Sequence, residues 1–343
     1  MRAIVTGGAG FIGSHVAEIL LAEGHRVLVL DDLSGGYLGN IPSGADFEKH
    51  SVNEPLDDPF SKYHPDFVFH LAAYAAEGLS HHIPVFTFTN NVSGTANVLG
   101  AAYRAKARHF VFTSSIAAYG HPKSTEPFSE RTACHPVDPY GVAKLACEYH
   151  IRACEQYYGG PAFTIFRPHN VFGPRQNISD PYRNVVGIFM AKGMRGEPMP
   201  IFGDGAQTRS FSYISTVAHC IAAAPRMPAS KNMTINIGGD EQMTVLKLAQ
   251  EVSQVLGVPE MIDWLPPRKE VVHAHCRHDL ARRYFADIYK QSVNIKEGLL
   301  RMAKFVRETP IPPPTNCPSP IEIMDLLPPS WRERVSAPVH SAM

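Results

Sequence analysis

Ala3-Ile4-Val5-Thr6-Gly7-Gly8-Ala9-Gly10-Phe11-Ile12-Gly13 is an apolar run that turns through glycines into a helical pattern. It reads as a strand, a tight turn and the opening of a helix. Glycine at 7, 10 and 13 permits the turn, lets the backbone approach a pyrophosphate, and packs helix closely on strand. The helix N-terminus, with Phe11 and Ile12 in its first turn, presents amide N–H groups and a positive dipole end to phosphate. Asp31 follows the next apolar run, Val27-Leu28-Val29-Leu30, 18 residues after Gly13. A carboxylate there accepts ribose hydroxyls and repels a 2′-phosphate. Asp32 adds a second negative charge, and no Arg follows closely. The implied cofactor is NAD.

Working outward, Phe67-Val68-Phe69, His109-Phe110-Val111-Phe112 and Phe163-Thr164-Ile165-Phe166 are further β-rich runs. Helical patterns such as Ser14–Glu23 and Val92–Arg104 lie between most of them. Continuously apolar strands alternating with helices predict an α/β fold, a Rossmann-type doubly wound parallel sheet. The expected division is an NAD-binding domain over 1–166, with the chain returning at about 211–256, and a smaller, discontinuous C-terminal substrate-binding lobe over 167–308. A Pro-rich extended tail follows over 309–343; docking of Ile321–Trp331 on the body of the protein is the preferred reading.

Composition narrows the function classes. The 343 residues are 44% apolar and 19% charged, enough for a large core. Lys+Arg and Asp+Glu both total 32, so there is no global basic field and no nucleic-acid partner is expected. No apolar run is long enough to span a membrane, and no secretory leader is read at the N-terminus. Six scattered cysteines without a CxxC pair read as reduced thiols of a cytoplasmic protein.

Tyr140-Gly141-Val142-Ala143-Lys144 opens a helix after Pro139, placing Tyr140 and Lys144 on one face. A phenol titrates near ~10. A neighbouring ammonium and a positive nicotinamide favour phenolate, giving a base near neutral pH. Lys144 also reaches toward a nicotinamide ribose. The run Phe112-Thr113-Ser114-Ser115 delivers a hydroxyl to the crevice beyond the sheet, with Ser115 preferred over Ser114.

TGGAGFIG (6–13), HLAA (70–73), NNVSGT (90–95), SSIAAYG (114–120), YGVAK (140–144), RPHNVFGPRQ (167–176) and IFGDGAQTRSFSYI (201–214) occur in that order. Together they resemble the extended short-chain dehydrogenase/reductase family, within it the NAD-dependent nucleotide-sugar epimerases of UDP-glucose 4-epimerase type. The likeness covers residues 1 to about 308. It implies Tyr140 as acid/base on the sugar O4, Ser115 as its hydrogen-bond partner, and Lys144 on the nicotinamide ribose. Leu71, Ala72 and Ala73 would line the cofactor, and Asn91 would support it or the local backbone. Asn170 and Arg209 would hold the diphosphate with Asn184 beside it, and Phe202 would pack on uracil. Arg268 and Glu270 would grip phosphate and ribose. A homodimer through the helix after Tyr140 is implied.

Departures from the family pattern carry information. Ser51-Val52 stand where relatives have an adenine-contacting Asp. His169 occupies an often aromatic position beside the nicotinamide. Ala274 leaves room for a larger sugar substituent. Ile116-Ala117 replace the Asp-Glu pair that 4,6-dehydratases use after the Ser/Thr, which argues against dehydration. Arg183, next to Asn184, can pair with a C6 carboxylate. The expected activity is therefore NAD-dependent 4-epimerisation of UDP-glucose/UDP-galactose. UDP-glucuronate/UDP-galacturonate is the alternative; a UDP-N-acetylhexosamine, or a dehydrogenase or reductase of nucleotide sugars, follows. His273, His275 and His278 form HxHxxH, but no metal is expected. Ser80-His81-His82 reads as a loop near the sugar.

Overall fold

The computed structural model describes residues 1–122, 126–267, 273–310, 319–328 and 331–332. Its centre is a seven-stranded sheet: β1 (Arg2–Thr6), β2 (Arg26–Asp31), β3 (Asp46–Lys49), β4 (Phe67–His70), β5 (His109–Thr113), β6 (Ala162–Pro168) and β7 (Met233–Ile237). The spatial order is β7-β6-β5-β4-β1-β2-β3, and every neighbouring pair is parallel. This is the doubly wound, Rossmann-type arrangement. Its topological reversal falls between β1 and β4.

The two-residue side-chain period splits each strand between two cores. Ala3, Val5, Val27, Val29, Phe67, Phe69 and Val111 join one core with Val16, Ala17 and Leu20 of α1 (Phe11–Ala22). Ile4, Leu28, Leu30, Val68, Phe110, Phe112, Phe163 and Ile165 face the other. There they meet α2 (Gly94–Arg104) through Val98 and Leu99, and α3 (Pro139–Tyr158) through Cys147 and Ile151. Burial on both faces is why these strands are continuously apolar. β3 differs: it is an edge strand whose Asp46, Glu48 and Lys49 are exposed. No apolar run announces it in the sequence.

Beyond β6 the chain forms α4 (Val185–Met194), α5 (Ile214–Ala223), α6 (Val245–Leu256) and α7 (Ile295–Glu308). α5 packs on α1 and β7 extends the sheet, so residues 214–223 and 233–237 lie with the first half of the chain. α6 instead packs on α4 and α7. Short pairings complete this side: Met199–Phe202 with Ile262–Leu265, and Thr208–Ser210 with Gln242–Thr244 and His273–Ala274. No helix among the described residues is long and apolar enough to cross a membrane.

α3 is held at its start by a buried cap. Asp138 Oδ1 accepts from the Gly141 N–H at 2.8 Å, and Pro139 takes the first helical position. Burial pushes the Asp138 carboxyl up to about 6, against hydrogen bonds from Gly141 and Tyr140. Between its ordinary value of 3.8 and about 6 the folded chain therefore binds more protons than the unfolded one. Unfolding free energy should fall as pH rises through that window. Asp138→Asn keeps the cap and removes the titration. Denaturant titrations across the window should show a flatter pH dependence for the variant; an unchanged slope would refute the assignment.

Candidate active site

The strands end level, Thr6 beside Leu30 and His70, His70 beside Phe112, and Thr113 beside Phe166. Everything that follows these ends converges on one crevice. After β1, Gly7 takes φ +71°, and a Cβ there would lie 2.6 Å from the Ala72 nitrogen. A Cβ on Gly13 would lie 2.1 Å from the Gly7 carbonyl oxygen. The turn thus nests against the start of α1 and the Leu71–Ala72 backbone. α1 has no side-chain cap and no acid in its first turn, whereas α3, α4, α6 and α7 are capped by Asp138, Asn184, Thr244 and Asn294. The Gly10 N–H turns to the Gly7 carbonyl at 3.1 Å, which leaves the leading amides of Phe11 and Ile12 as what a pyrophosphate requires.

Asp31 ends β2 almost buried. Its Oδ2 accepts from the Ala9 N–H at 3.0 Å and its Oδ1 from the Leu33 N–H at 2.8 Å. Burial raises its pKa, and these two amides push back. The carboxylate therefore shapes the glycine turn, each oxygen keeping a second lone pair for a further donor. Asp32 accepts from the Ser34 N–H at 2.9 Å. Ser51 lies in a turn past β3, its hydroxyl accepting from the Asn53 N–H at 3.3 Å. Val52 is buried tightly against Gly94. The residues fit NAD: a glycine cradle, an uncapped helix start and a carboxylate at the end of β2.

A line of hydrogen bonds explains the HLAA and NNVSGT motifs. The Thr95 hydroxyl donates to the Asn91 carbonyl at 2.6 Å, so it accepts from His70 Nε2 at 2.9 Å. His70 Nδ1 then accepts from the Thr6 hydroxyl at 2.7 Å, and Thr6 Oγ1 receives the Ala72 N–H at 3.4 Å. Burial holds the His70 imidazole down at about 3, so it stays neutral and this direction is kept. The Asn91 amide clamps the Tyr74 backbone from both sides, at 3.0 and 3.2 Å. It sits in a π-turn, Thr89–Ser93. Leu71, Ala72 and Ala73 are fixed between these anchors.

Across the crevice, Ser115 follows β5 and accepts from the Ala117 N–H at 3.1 Å. Ser114 faces the other way and donates to Glu148 Oε1 at 2.5 Å. Glu148 is buried in a bidentate pair with Arg167, at 2.8 and 2.6 Å. That separates the two serines: Ser114 is structural and Ser115 faces Tyr140. Lys144 is buried, donates to the Thr113 carbonyl at 2.8 Å, and lies 5.8 Å from the Tyr140 ring centre. Burial lowers its pKa to about 8. The expected acidification of the phenol rests on Lys144 together with the nicotinamide charge. Burial pushes the Tyr140 pKa up, opposed chiefly by its hydrogen bond with Ser115. Glu77 and Asp138 add to the rise and Arg183 opposes it. The chain's own groups therefore keep the phenol protonated, and lowering it needs a further positive charge.

His169 is held at both ring nitrogens. Its Nδ1 donates to the Ser210 carbonyl at 3.0 Å, and its Nε2 accepts from His278 Nε2 at 2.9 Å, the rings stacking at 5.1 Å. Burial holds it neutral, at about 3. His278 Nδ1 lies 2.6 Å from Asp240 Oδ1, and burial lowers the His278 pKa to about 4. The HxHxxH histidine is thus committed to this line.

Asn170 adopts φ +38° and donates to the Ser210 carbonyl at 2.9 Å. Arg209 donates to the Thr208 carbonyl at 2.9 Å, and its backbone lies in register beside Ala274. Asn184 caps α4, accepting from Val186 N–H and donating to the Val171 carbonyl, both at 2.9 Å. Phe202 ends its strand half-buried. Arg268 and Glu270 lie outside the described residues. Arg183 pairs with Asp180 at 2.9 Å and lies 4.8 Å over the Tyr74 ring. Ser80 accepts from the Tyr140 N–H at 3.2 Å, which brings the helical turn Glu77–Ser80, rather than an open loop, to the site. Glu77 and Tyr74 carry no local signal in the sequence; only packing places them here. A cavity of ≈ 490 Å³ lined by Met1, His25 and Arg108 opens at the opposite, amino-terminal edge of the sheet. Strand polarity, not cavity size, locates the site.

Residues 3–238 match the family model described as NAD dependent epimerase/dehydratase family. UDP-glucose 4-epimerase of Mycolicibacterium smegmatis is 33% identical over 317 residues, 90% of this chain and 99% of that protein. UDP-glucuronic acid decarboxylase 1 of Arabidopsis thaliana is also 33% identical, over 90% of this chain and 70% of that one. Among solved structures, the UDP-glucose 4-epimerase of Thermotoga maritima with UDP-glucose superposes with a TM-score of 0.84 at 32% identity. It covers 90% of this chain and 99% of that one.

The glycine cradle can be tested against an internal control. Gly7→Ala should weaken NAD binding about tenfold or more, roughly 1.4 kcal/mol, read by titration. Gly24→Ala, at φ +79° with nothing within 4 Å of its added Cβ, should leave NAD affinity unchanged. Equal effects of both would reduce the cradle to backbone strain.

Proposed function

This chain belongs to the NAD-dependent epimerase/dehydratase family, and we propose that within it the protein is a UDP-sugar 4-epimerase, with UDP-glucose/UDP-galactose as substrate pair. The observation that carries this is the Ser115–Tyr140 pair at the end of β5, with Lys144 anchored on Thr113 and Ile116-Ala117 following. Expelling water across C5–C6 needs an acid and a base beside the hydroxyl; Ile116 and Ala117 supply neither.

NAD, when bound, supplies a hydride acceptor and donor at C4 and a fixed positive charge. Gly7–Gly13, Asp31 and Leu71–Ala73 would hold it, with Lys144 on the nicotinamide ribose. Tyr140 takes the O4 proton, keeps it in the buried crevice and returns it to the opposite configuration. Ser115 hydrogen-bonds O4 throughout. Asn170, Arg209 and the start of α4 at Asn184 grip the diphosphate, and Phe202 packs on uracil. The hexosyl ring of the 4-keto sugar is then free to turn about its bond to the diphosphate while the anchor stays fixed.

Arg183 favours a second reading, UDP-glucuronate. Its charge acts on the Tyr140 phenol and its side chain is 23% exposed. A C6 carboxylate would replace or share Asp180. Oxidation at C4 would make that substrate a β-keto acid, so retention or loss of CO₂ distinguishes epimerase from decarboxylase. Five described cysteines carry free thiols, in keeping with a reducing cytoplasmic setting. Val142, Tyr149 and Tyr157 are exposed along α3, and we propose this face as the contact with a second copy. Tyr149→Glu should then halve the mass measured in solution.

Purified protein given UDP-glucose, UDP-glucuronate and UDP-N-acetylglucosamine in parallel should form the C4 epimer of UDP-glucose without accumulating NADH. A 4-keto-6-deoxy product would sink the proposal. Tyr140→Phe should lower kcat by about 10²–10⁴ while NAD still binds. Arg183→Ala should lower kcat/KM for the uronate about 10²-fold more than for UDP-glucose if a charge-assisted pair is lost; an equal loss for both substrates would end the carboxylate role.

A further inference from the structure

Each relative described above matches 90% of this chain, and the family model ends at residue 238. Residues 319–328 and 331–332 nevertheless pack against the site. Glu322 Oε2 accepts from the Val85 N–H at 2.8 Å and Oε1 from the Phe86 N–H at 2.9 Å. The Glu322 N–H donates to the His82 carbonyl at 2.8 Å, and His82 Nδ1 donates to the Ile323 carbonyl at 2.9 Å. Leu327 and Trp331 are buried in a cluster with Tyr74, Ala76, Leu79, Ile83 and Tyr182, separate from the two cores of the sheet. The Trp331 ring meets Tyr182 edge-on at 4.9 Å and His82 at 6.3 Å.

The elements gripped are those that face Tyr140 from behind. Ser80 receives the Tyr140 N–H, Glu77 and Arg183 act on its phenol, and Arg183 stacks on Tyr74. Tyr74–Ile83 follows β4, whereas Tyr182-Arg183 precedes α4. Trp331 is wedged between these two segments. We propose that the C-terminal segment is a strap that positions the sugar-facing wall of the site, with Trp331 and Glu322 as its positioning residues. Its described residues bond to the 82–86 stretch and pack on Tyr74–Ile83 and Tyr182, not on the glycine turn or Asp31, so the effect expected is on substrate rather than on NAD. The proposal rests on reading Tyr140 as the acid/base group.

The test compares the full chain with a form ending at Pro310, and with full-length Trp331→Ala, Trp331→Phe and Glu322→Gln. Amide exchange in 76–86 and 180–184 is followed first, without substrate, so that it reads the strap whatever the sugar proves to be. Loss of the strap, and Trp331→Ala, should speed exchange there about tenfold and raise KM for the UDP-sugar about tenfold more than they lower kcat, because preorganisation is what is lost. NAD affinity should stay within about twofold. Trp331→Phe, and a peptide of residues 319–332 added to the shortened form, should restore both. Unchanged exchange in Trp331→Ala overturns the strap. Faster exchange with unchanged KM overturns its positioning role. A protein that turns over no UDP-sugar yet shows the exchange change leaves the strap standing and defeats the function reading instead.

Discussion

Close backbone approach at the reversal between β1 and β4 is the constraint on which the rest depends. Two missing side chains, at Gly7 and Gly13, let the first turn lie against Leu71–Ala72 and the first helix lie against the turn. Only then do the ends of β1, β2, β4 and β5 open into one crevice, with uncapped amides on one side and Ser115 on the other. A methyl group at either glycine would push the two halves of the sheet's edge apart. The neutral His70, pinned between Thr6 and Thr95, holds that approach from beneath. Its low pKa is a consequence of burial, and burial keeps its donor and acceptor ends from exchanging.

Reactivity is shaped by the same burial and against its first tendency. Desolvation disfavours phenolate at Tyr140 and ammonium at Lys144 together. The phenol stays neutral until a positive charge arrives beside it, whereas Lys144, at about 8, still carries its charge at neutral pH. A site so arranged holds its proton when idle. The buried Glu148–Arg167 pair, with Ser114 on Glu148 and Arg167 4.5 Å over the Tyr119 ring, gives the end of β5 a rigid backing. Removing one partner would leave a buried charge alone, typically costing about 3–5 kcal/mol.

The sugar side is built differently from the cofactor side. Turn geometry and helix amides make the NAD cradle from residues close in sequence. The wall behind Tyr140 is assembled from residues 74–83, 180–183, 322–327 and Trp331, which are far apart in the chain. Such a wall can be retuned without disturbing the dinucleotide site. That is consistent with relatives of equal identity acting on a neutral hexose and on a uronic acid.

The sequence by itself determined the parallel sheet, the glycine cradle, Asp31 and the Ser115–Tyr140–Lys144 set. These depend on local periodicity, turn chemistry and short spacing, which a linear string records. It was silent on β3, because an edge strand needs no apolar run, and on the partners of His169 and the groups around the Tyr140 phenol. His169 turns to His278 across 109 residues, and the phenol's surroundings come from Glu77, Asp138 and Arg183 at once. Asn184 proved to cap a helix, and the docking of Trp331 could be named only as a segment, not as a contact. Tertiary structure alone decided these points. Desolvation and long-range partners depend on what packs around a group, and packing is a property of the whole chain.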